Sequence, residues 1–129
     1  MENEVIQVLQ KFKEMNPWKG TVGERIDKFK WLFKEMKRIY NLNDWQLICA
    51  VPTEIKNWYS SGSSYCDKLR KVIVLRGRLS VITFLHEFAH ALGMSQGEAR
   101  VWSESLFKKV FPEKWENLVR DSSGLMVRK

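Results

Sequence analysis

"VITFLHEFAHALGMSQGEARVWSESLF", residues 81–107, contains both histidines of the chain. His86 and His90 are four residues apart, and Glu87 directly follows the first. On a helix, residues at this spacing lie one above the other on the same face. Two imidazoles can then be presented to one ion. Ser80 precedes the apolar run and Gly93 follows it, which are start and stop signals for a helix over 81–92. Ile82, Phe84, Leu85, Phe88, Ala89 and Leu92 surround the histidines with apolar side chains on nearly every side, so the helix is expected to be buried. Burying two imidazoles and a carboxylate without partners is costly. That cost favours a shared ligand over a chance motif on a solvated face.

The ion that suits this spacing is Zn2+, which takes imidazole nitrogens at about 2.0–2.1 Å. Glu87 stands about 100° round the helix from His86, where it can reach a zinc-bound water without ligating the metal. Such a water has its pKa lowered to roughly 7, and a carboxylate can pass its proton to a leaving amine. The expected reaction is peptide-bond hydrolysis with Glu87 as general base.

A third metal donor must come from elsewhere, since no third histidine exists. Downstream carboxylates are Glu98, Glu104, Glu113, Glu116 and Asp121. A helix is predicted over 96–110, ended by Pro112. Within it Ala99, Trp102, Leu106 and Val110 step by three or four and mark an inward face. Glu98 lies four residues before Trp102, so this phase points it inward and Glu104 outward. Glu98 is therefore the expected third ligand and Glu104 the second choice. Gly93 and Gly97 give the chain freedom to double back between the two helices.

Working outward, residues 3–15 carry Val5, Ile6, Leu9 and Phe12 at helical spacing, and "NPWKG" at 16–20 breaks the pattern. Thr21 and Glu24 are spaced as a capping box ahead of an apolar stripe that runs from Ile26 to Tyr40. "WQLICAV" (45–51) reads as a strand ending at Pro52, and 52–64 as a loop with a Gly/Ser tip. "YCDKLRKVIVLRG" reads as a hairpin, with strands near 64–67 and 71–76. The second strand is a continuous apolar run, as expected of one covered on both faces. A last short helix is expected in "PEKWENLVR" (112–120), followed by a tail, 121–129. The order gives an α+β fold in one domain, 1–129: N-terminal helices (1–40), a small sheet of about three strands (45–76), the HExxH helix (81–92) and the glutamate helix (96–110).

The bulk numbers agree. A chain of 129 residues with 44% hydrophobic content suits one domain with a real core. No apolar run of about 18 residues exists, so no membrane span is expected. The N-terminus lacks an apolar leader segment, which makes a cytoplasmic protein the expectation. Cys49 and Cys66 form no CxxC and read as buried reduced thiols. Net charge is +7, which permits contact with nucleic acid. Lys28, Lys30, Lys34, Lys37 and Arg38 cluster on the second helix, without any aromatic-interleaved binding motif.

At "TFLHEFAHALG" and "GEARVWSESLF" the sequence resembles the gluzincin metallopeptidases. It is most similar to their smallest members, the minigluzincins, and to the peptidase domain of the ImmA/IrrE family. The resemblance spans about residues 45–111. It implies that His86, His90 and Glu98 bind zinc and that Glu87 is the general base. It also implies that the hairpin before the active-site helix forms the cleft's upper rim, where an extended peptide substrate would pair with the edge strand. Seven residues separate His90 from Glu98, which is short for gluzincins. The SprT-like proteases share HExxH, small size and basic charge, but use a third histidine that this chain lacks.

Stabilising the tetrahedral oxyanion calls for a further donor. Tyr65 is the first choice, with Tyr59 and Arg100 as alternatives. Small members of this class resemble latent enzymes, so one hypothesis lays the tail 121–129 in the cleft as in a zymogen, with Asp121 able to reach the fourth metal position; the alternative is a frayed terminus. The expected partner is a peptide or protein substrate of a monomeric enzyme. The rival is a basic, nucleic-acid-associated or regulatory protein whose zinc site is structural.

Overall fold

The computed structural model describes residues 2–50, 64–77, 79–120, 122 and 126–128. Helix α1 spans Glu2–Glu14 and α2 spans Val22–Ile39. The capping box that opens α2 forms as the sequence indicates: the Glu24 amide donates to Thr21 Oγ1 at 3.1 Å, and the Thr21 amide donates to Glu24 Oε1 at 3.1 Å. Strands β1 (Gln46–Ala50), β2 (Tyr65–Asp67) and β3 (Val72–Arg76) build a three-stranded mixed sheet in the order β1-β3-β2. β3 lies in the middle, parallel to β1 and antiparallel to β2. Its central place explains the uninterrupted apolar run, for Ile73, Val74 and Leu75 are all buried. Asp67 closes the β2–β3 turn by accepting from the amides of Leu69 and Arg70. Lys71 sits in the turn at φ +56°, so β3 begins one residue later than expected.

Helix α3 (Val81–Ala91) carries the HExxH residues, and α4 (Gln96–Val110) doubles back against it. The buried aromatic cluster holds α3 in place. Phe84 and Phe88 are fully buried. Phe84 meets Phe29 and Phe33 edge-on at 6.0 and 6.3 Å, and Phe88 meets Phe33 at 6.3 Å. One face of α3 is thus pinned to α2, which leaves the histidines on the other. The result is an α+β domain of five helices and a small mixed sheet among the described residues.

The C-terminal end corrects the sequence reading. Only Pro112–Trp115 is helical, as α5. The Asn117 side-chain amide donates to the Glu113 carbonyl at 3.1 Å and closes the last turn. Leu118–Arg120 then forms β4, antiparallel to β5 (Met126–Arg128). The "LVR" stretch of the expected helix and the end of the expected tail are therefore two arms of a hairpin. A β-branched valine in each arm, Val119 opposite Val127, suits that pairing. No described helix is long and apolar enough to cross a membrane.

Candidate metal centre

The α3–α4 turn positions the site. Gly93 stands at φ +94°, a conformation that side chains with a Cβ adopt only under strain. Its amide donates to the His90 carbonyl, and the Met94 amide donates to the Ala89 carbonyl. The reversal brings the Met94 carbonyl to 3.0 Å from His90 Nδ1. A carbonyl only accepts, so His90 Nδ1 carries the proton and the Nε2 lone pair is left for another partner. Metal-binding histidines are oriented by this kind of outer contact.

His90 Nε2 lies 3.2 Å from His86 Nε2. Two nitrogens bound tetrahedrally to one zinc at about 2.0–2.1 Å stand roughly 3.3 Å apart. The i,i+4 spacing therefore yields a pair of nitrogens that fits the ion. The Gln96 side chain joins them, with Oε1 at 3.1 Å from His86 Nε2 and 3.0 Å from His90 Nε2. Burial is the main cause of a depressed His86 pKa, with the neighbouring charges of His90 and Arg100 adding to it. The contact with Gln96 and the charge of Glu104 oppose the shift. The shift favours the neutral imidazole, the form that can ligate.

Glu87 is half-buried beside the pair. Burial pushes its carboxyl up to about 7, against the opposing charge of His90. A carboxyl tuned to that range is matched to proton transfer near neutral pH. Its charge also acts on Cys66 in β2, whose thiol is pushed up to about 11, mainly by burial. The β2 edge of the sheet therefore runs alongside Glu87. Cys49 is likewise shifted up by burial. Both thiols are partly buried and reduced, and neither belongs to a CxxC.

Glu98 is not brought to the histidines. Its carboxylate accepts from the Ser95 amide at 3.0 Å while its own amide donates to Ser95 Oγ, a capping box that opens α4. Those bonds to Ser95 hold its carboxyl below the usual range. The side chain lines an apolar groove together with Val101, Trp102, Leu106 and Glu2 of α1. The physical reason is helix phase. Ala99, Ser103, Leu106, Phe107 and Val110 are the buried residues of α4, whereas Trp102 is only partly buried and stacks on Phe88 at 6.5 Å. Reading Trp102 as central rotated the expected face toward Glu98. With the face centred on Ala99 and Ser103, the stripe nearest the histidines is Gln96, Arg100 and Glu104, four residues apart. Glu98 is about 200° round from Gln96.

The expected outward Glu104 is in fact the less exposed glutamate. Its side chain is 16% exposed, and both carboxylate oxygens accept from Arg120 of β4, at 2.8 and 3.2 Å. Tyr65, 42% exposed, packs under the Arg76 guanidinium at 5.4 Å. It alternates with Cys66 along β2, so its ring stands on the sheet face away from Glu87. Arg100 is the oxyanion candidate whose charge reaches His86. Tyr59 and Asp121 lie outside the described residues, as does most of the tail on which the latency hypothesis rests.

Sequence reading missed Gln96. Its signal was present, because it heads the i, i+4, i+8 series that ends at Glu104. Among the described residues no three His, Cys, Asp or Glu side chains converge as a metal-holding group. The basic stripe on α2 is partly engaged within the chain: Lys28 donates to the carbonyls of Asn16 and Lys19, and Lys37 sits over the Phe33 ring and donates to the Trp45 carbonyl. No family model, curated protein or solved structure matches the chain.

Proposed function

We propose that the chain is a small zinc-dependent peptidase of cytoplasmic type that acts on extended peptide segments. The observation that supports this reading most is the 3.2 Å approach of two Nε2 atoms, one fixed by the Met94 carbonyl, beside a half-buried Glu87. His86 and His90 would hold the ion. When bound, zinc polarises the scissile carbonyl and acidifies water. Glu87 takes a proton from the attacking water and returns it to the departing amine. Its elevated pKa suits both transfers. Arg100 supplies positive charge on the α4 side of the site, where negative charge develops on the substrate oxygen. Among the described residues β2 is the outer strand of the sheet on the Glu87 side. An extended substrate can add to such an edge through backbone hydrogen bonds, which favours internal peptide bonds over chain ends.

The test is mass-spectrometric mapping of a denatured-protein digest by zinc-loaded protein, chelated protein, and chelated protein given zinc again. Cleavage that disappears with chelation and returns with zinc is expected. Cleavage indifferent to chelation, or none with zinc, would end the reading. DNA binding that weakens with salt and persists without zinc would favour the nucleic-acid alternative.

A further inference from the structure

We propose that the third protein donor to the metal is the side-chain oxygen of Gln96, in place of either downstream glutamate. The inference rests on the zinc reading of His86 and His90 and identifies the donor set of that same site.

Three atoms form a nearly equilateral triangle: His86 Nε2, His90 Nε2 and Gln96 Oε1, with edges of 3.2, 3.0 and 3.1 Å. With the Gln96 oxygen facing the rings, protons do not satisfy this arrangement. His90 Nδ1 donates to the Met94 carbonyl, so in a neutral ring its Nε2 is a bare acceptor. Gln96 Oε1 is also an acceptor. Only His86 Nε2 can supply a hydrogen, and one hydrogen serves one edge of the triangle strongly. A divalent cation serves all three corners at once. The edges also fall close to the separation expected of zinc ligands.

The alternatives are occupied elsewhere. Glu98 is turned to the far side of α4 and bound to Ser95. Glu104 gives both carboxylate oxygens to Arg120. Gln96 reaches the histidines because Ser95 caps α4 immediately after the Gly93 reversal, which places the first helical residue of α4 against the last turn of α3. Five residues separate His90 from Gln96, and the Gly93 reversal turns the chain back within them.

The chemistry differs from that of a site with a carboxylate. Two imidazoles and an amide carry no charge, so the bound ion keeps its full double positive charge toward the cleft. Such a site holds zinc less tightly than one with a glutamate and prefers an anionic fourth partner.

The experiment is zinc competition against a chromophoric chelator, with thermal melts in excess chelator to show that each variant folds. Gln96→Ala is expected to weaken zinc binding by about tenfold or more. Gln96→Glu is expected to bind at least as tightly as wild type, because it adds a negative charge at the same position. Glu98→Ala and Glu104→Ala are expected to stay within about threefold of wild type. Gln96→Ala binding like wild type while His86→Ala loses zinc would overturn the assignment. So would a loss on Glu104→Ala as large as that expected for Gln96→Ala. Unchanged binding on Gln96→Ala would mean that the amide is turned to donate its hydrogens to the two imidazoles. Wild type that binds no zinc would overturn both the donor and the peptidase reading. Gln96-dependent binding in a protein that cleaves nothing supports the donor and overturns the peptidase reading alone.

Discussion

Glu87→Gln is expected to lower peptide cleavage by about 10²–10⁴-fold while leaving zinc affinity within a few-fold of wild type. The substitution keeps shape and removes the titrating oxygen, so the loss isolates proton transfer. In free energy it corresponds to roughly 3–5 kcal/mol of transition-state stabilisation. Steady-state rates on one identified peptide, measured with zinc content on the same samples, check it. A variant that keeps zinc and cuts at more than a tenth of the wild-type rate would remove Glu87 from the chemistry. The same variant has a signature in stability. In metal-free protein Glu87 holds its proton up to about 7, whereas its ordinary carboxyl value is 4.5. Between those values the folded chain binds more protons than the unfolded one, so this group makes stability fall as pH rises. His86 acts in the opposite direction. Its folded pKa lies below 6.5, so it costs stability as pH falls through that region. Denaturant unfolding of chelated protein from pH 4 to 8 should show Glu87→Gln lacking the decline with rising pH. An identical profile in both proteins would contradict the burial argument.

Phe84→Ala is expected to destabilise the fold by about 3–5 kcal/mol. The ring is fully buried and has edge or tilted contacts with Phe29, Phe33 and Phe88. Nothing in a close-packed core refills a space of that size. The cost is a large share of the roughly 5–15 kcal/mol that holds a domain together. A melting temperature lower by about 10–20 °C is the observable. Val101, 71% exposed on α4, is the control, and its replacement by alanine should change stability by less than about 0.5 kcal/mol. A Phe84→Ala protein melting within about 3 °C of wild type would mean that α3 is not anchored through this cluster. The effect reaches the site, because the same helix carries Phe84 and Phe88 on one face and His86 and His90 on another.

Most of the fold was legible because its signals are local. The capping box at Thr21 and Glu24, the Asp67 turn, the apolar β3 run and the Ser80/Gly93 boundaries each act within a few residues. Helix α4 was placed over its exact span for the same reason. Its rotation was not legible to that precision. Trp102 is large and apolar, but it lies at the margin of the buried face, and taking it as central shifted the face enough to exchange the roles of Glu98 and Glu104. The capping role of Glu98 was signalled by Ser95 three residues before it, the same S-x-x-E spacing that Thr21 and Glu24 obey. At the C-terminus, "ENLVR" can continue a helix or start a strand. The choice was made by pairing with residues 126–128, which apolar periodicity within 112–120 does not carry. The histidine pair needed only the i,i+4 rule. Gln96 needed the α3–α4 reversal, which depends on a single glycine at positive φ.

Zinc held by His86 and His90 in a site open to substrate is the feature on which every proposed step depends. Zinc K-edge X-ray absorption of the stoichiometrically loaded protein measures this. The expected spectrum shows nitrogen and oxygen scatterers only, at about 2.0–2.1 Å, with the imidazole outer-shell pattern of two histidines that is lost on His86→Ala. Sulfur scattering near 2.3 Å, or a spectrum unchanged by His86→Ala, would contradict it and move the metal away from the HExxH helix.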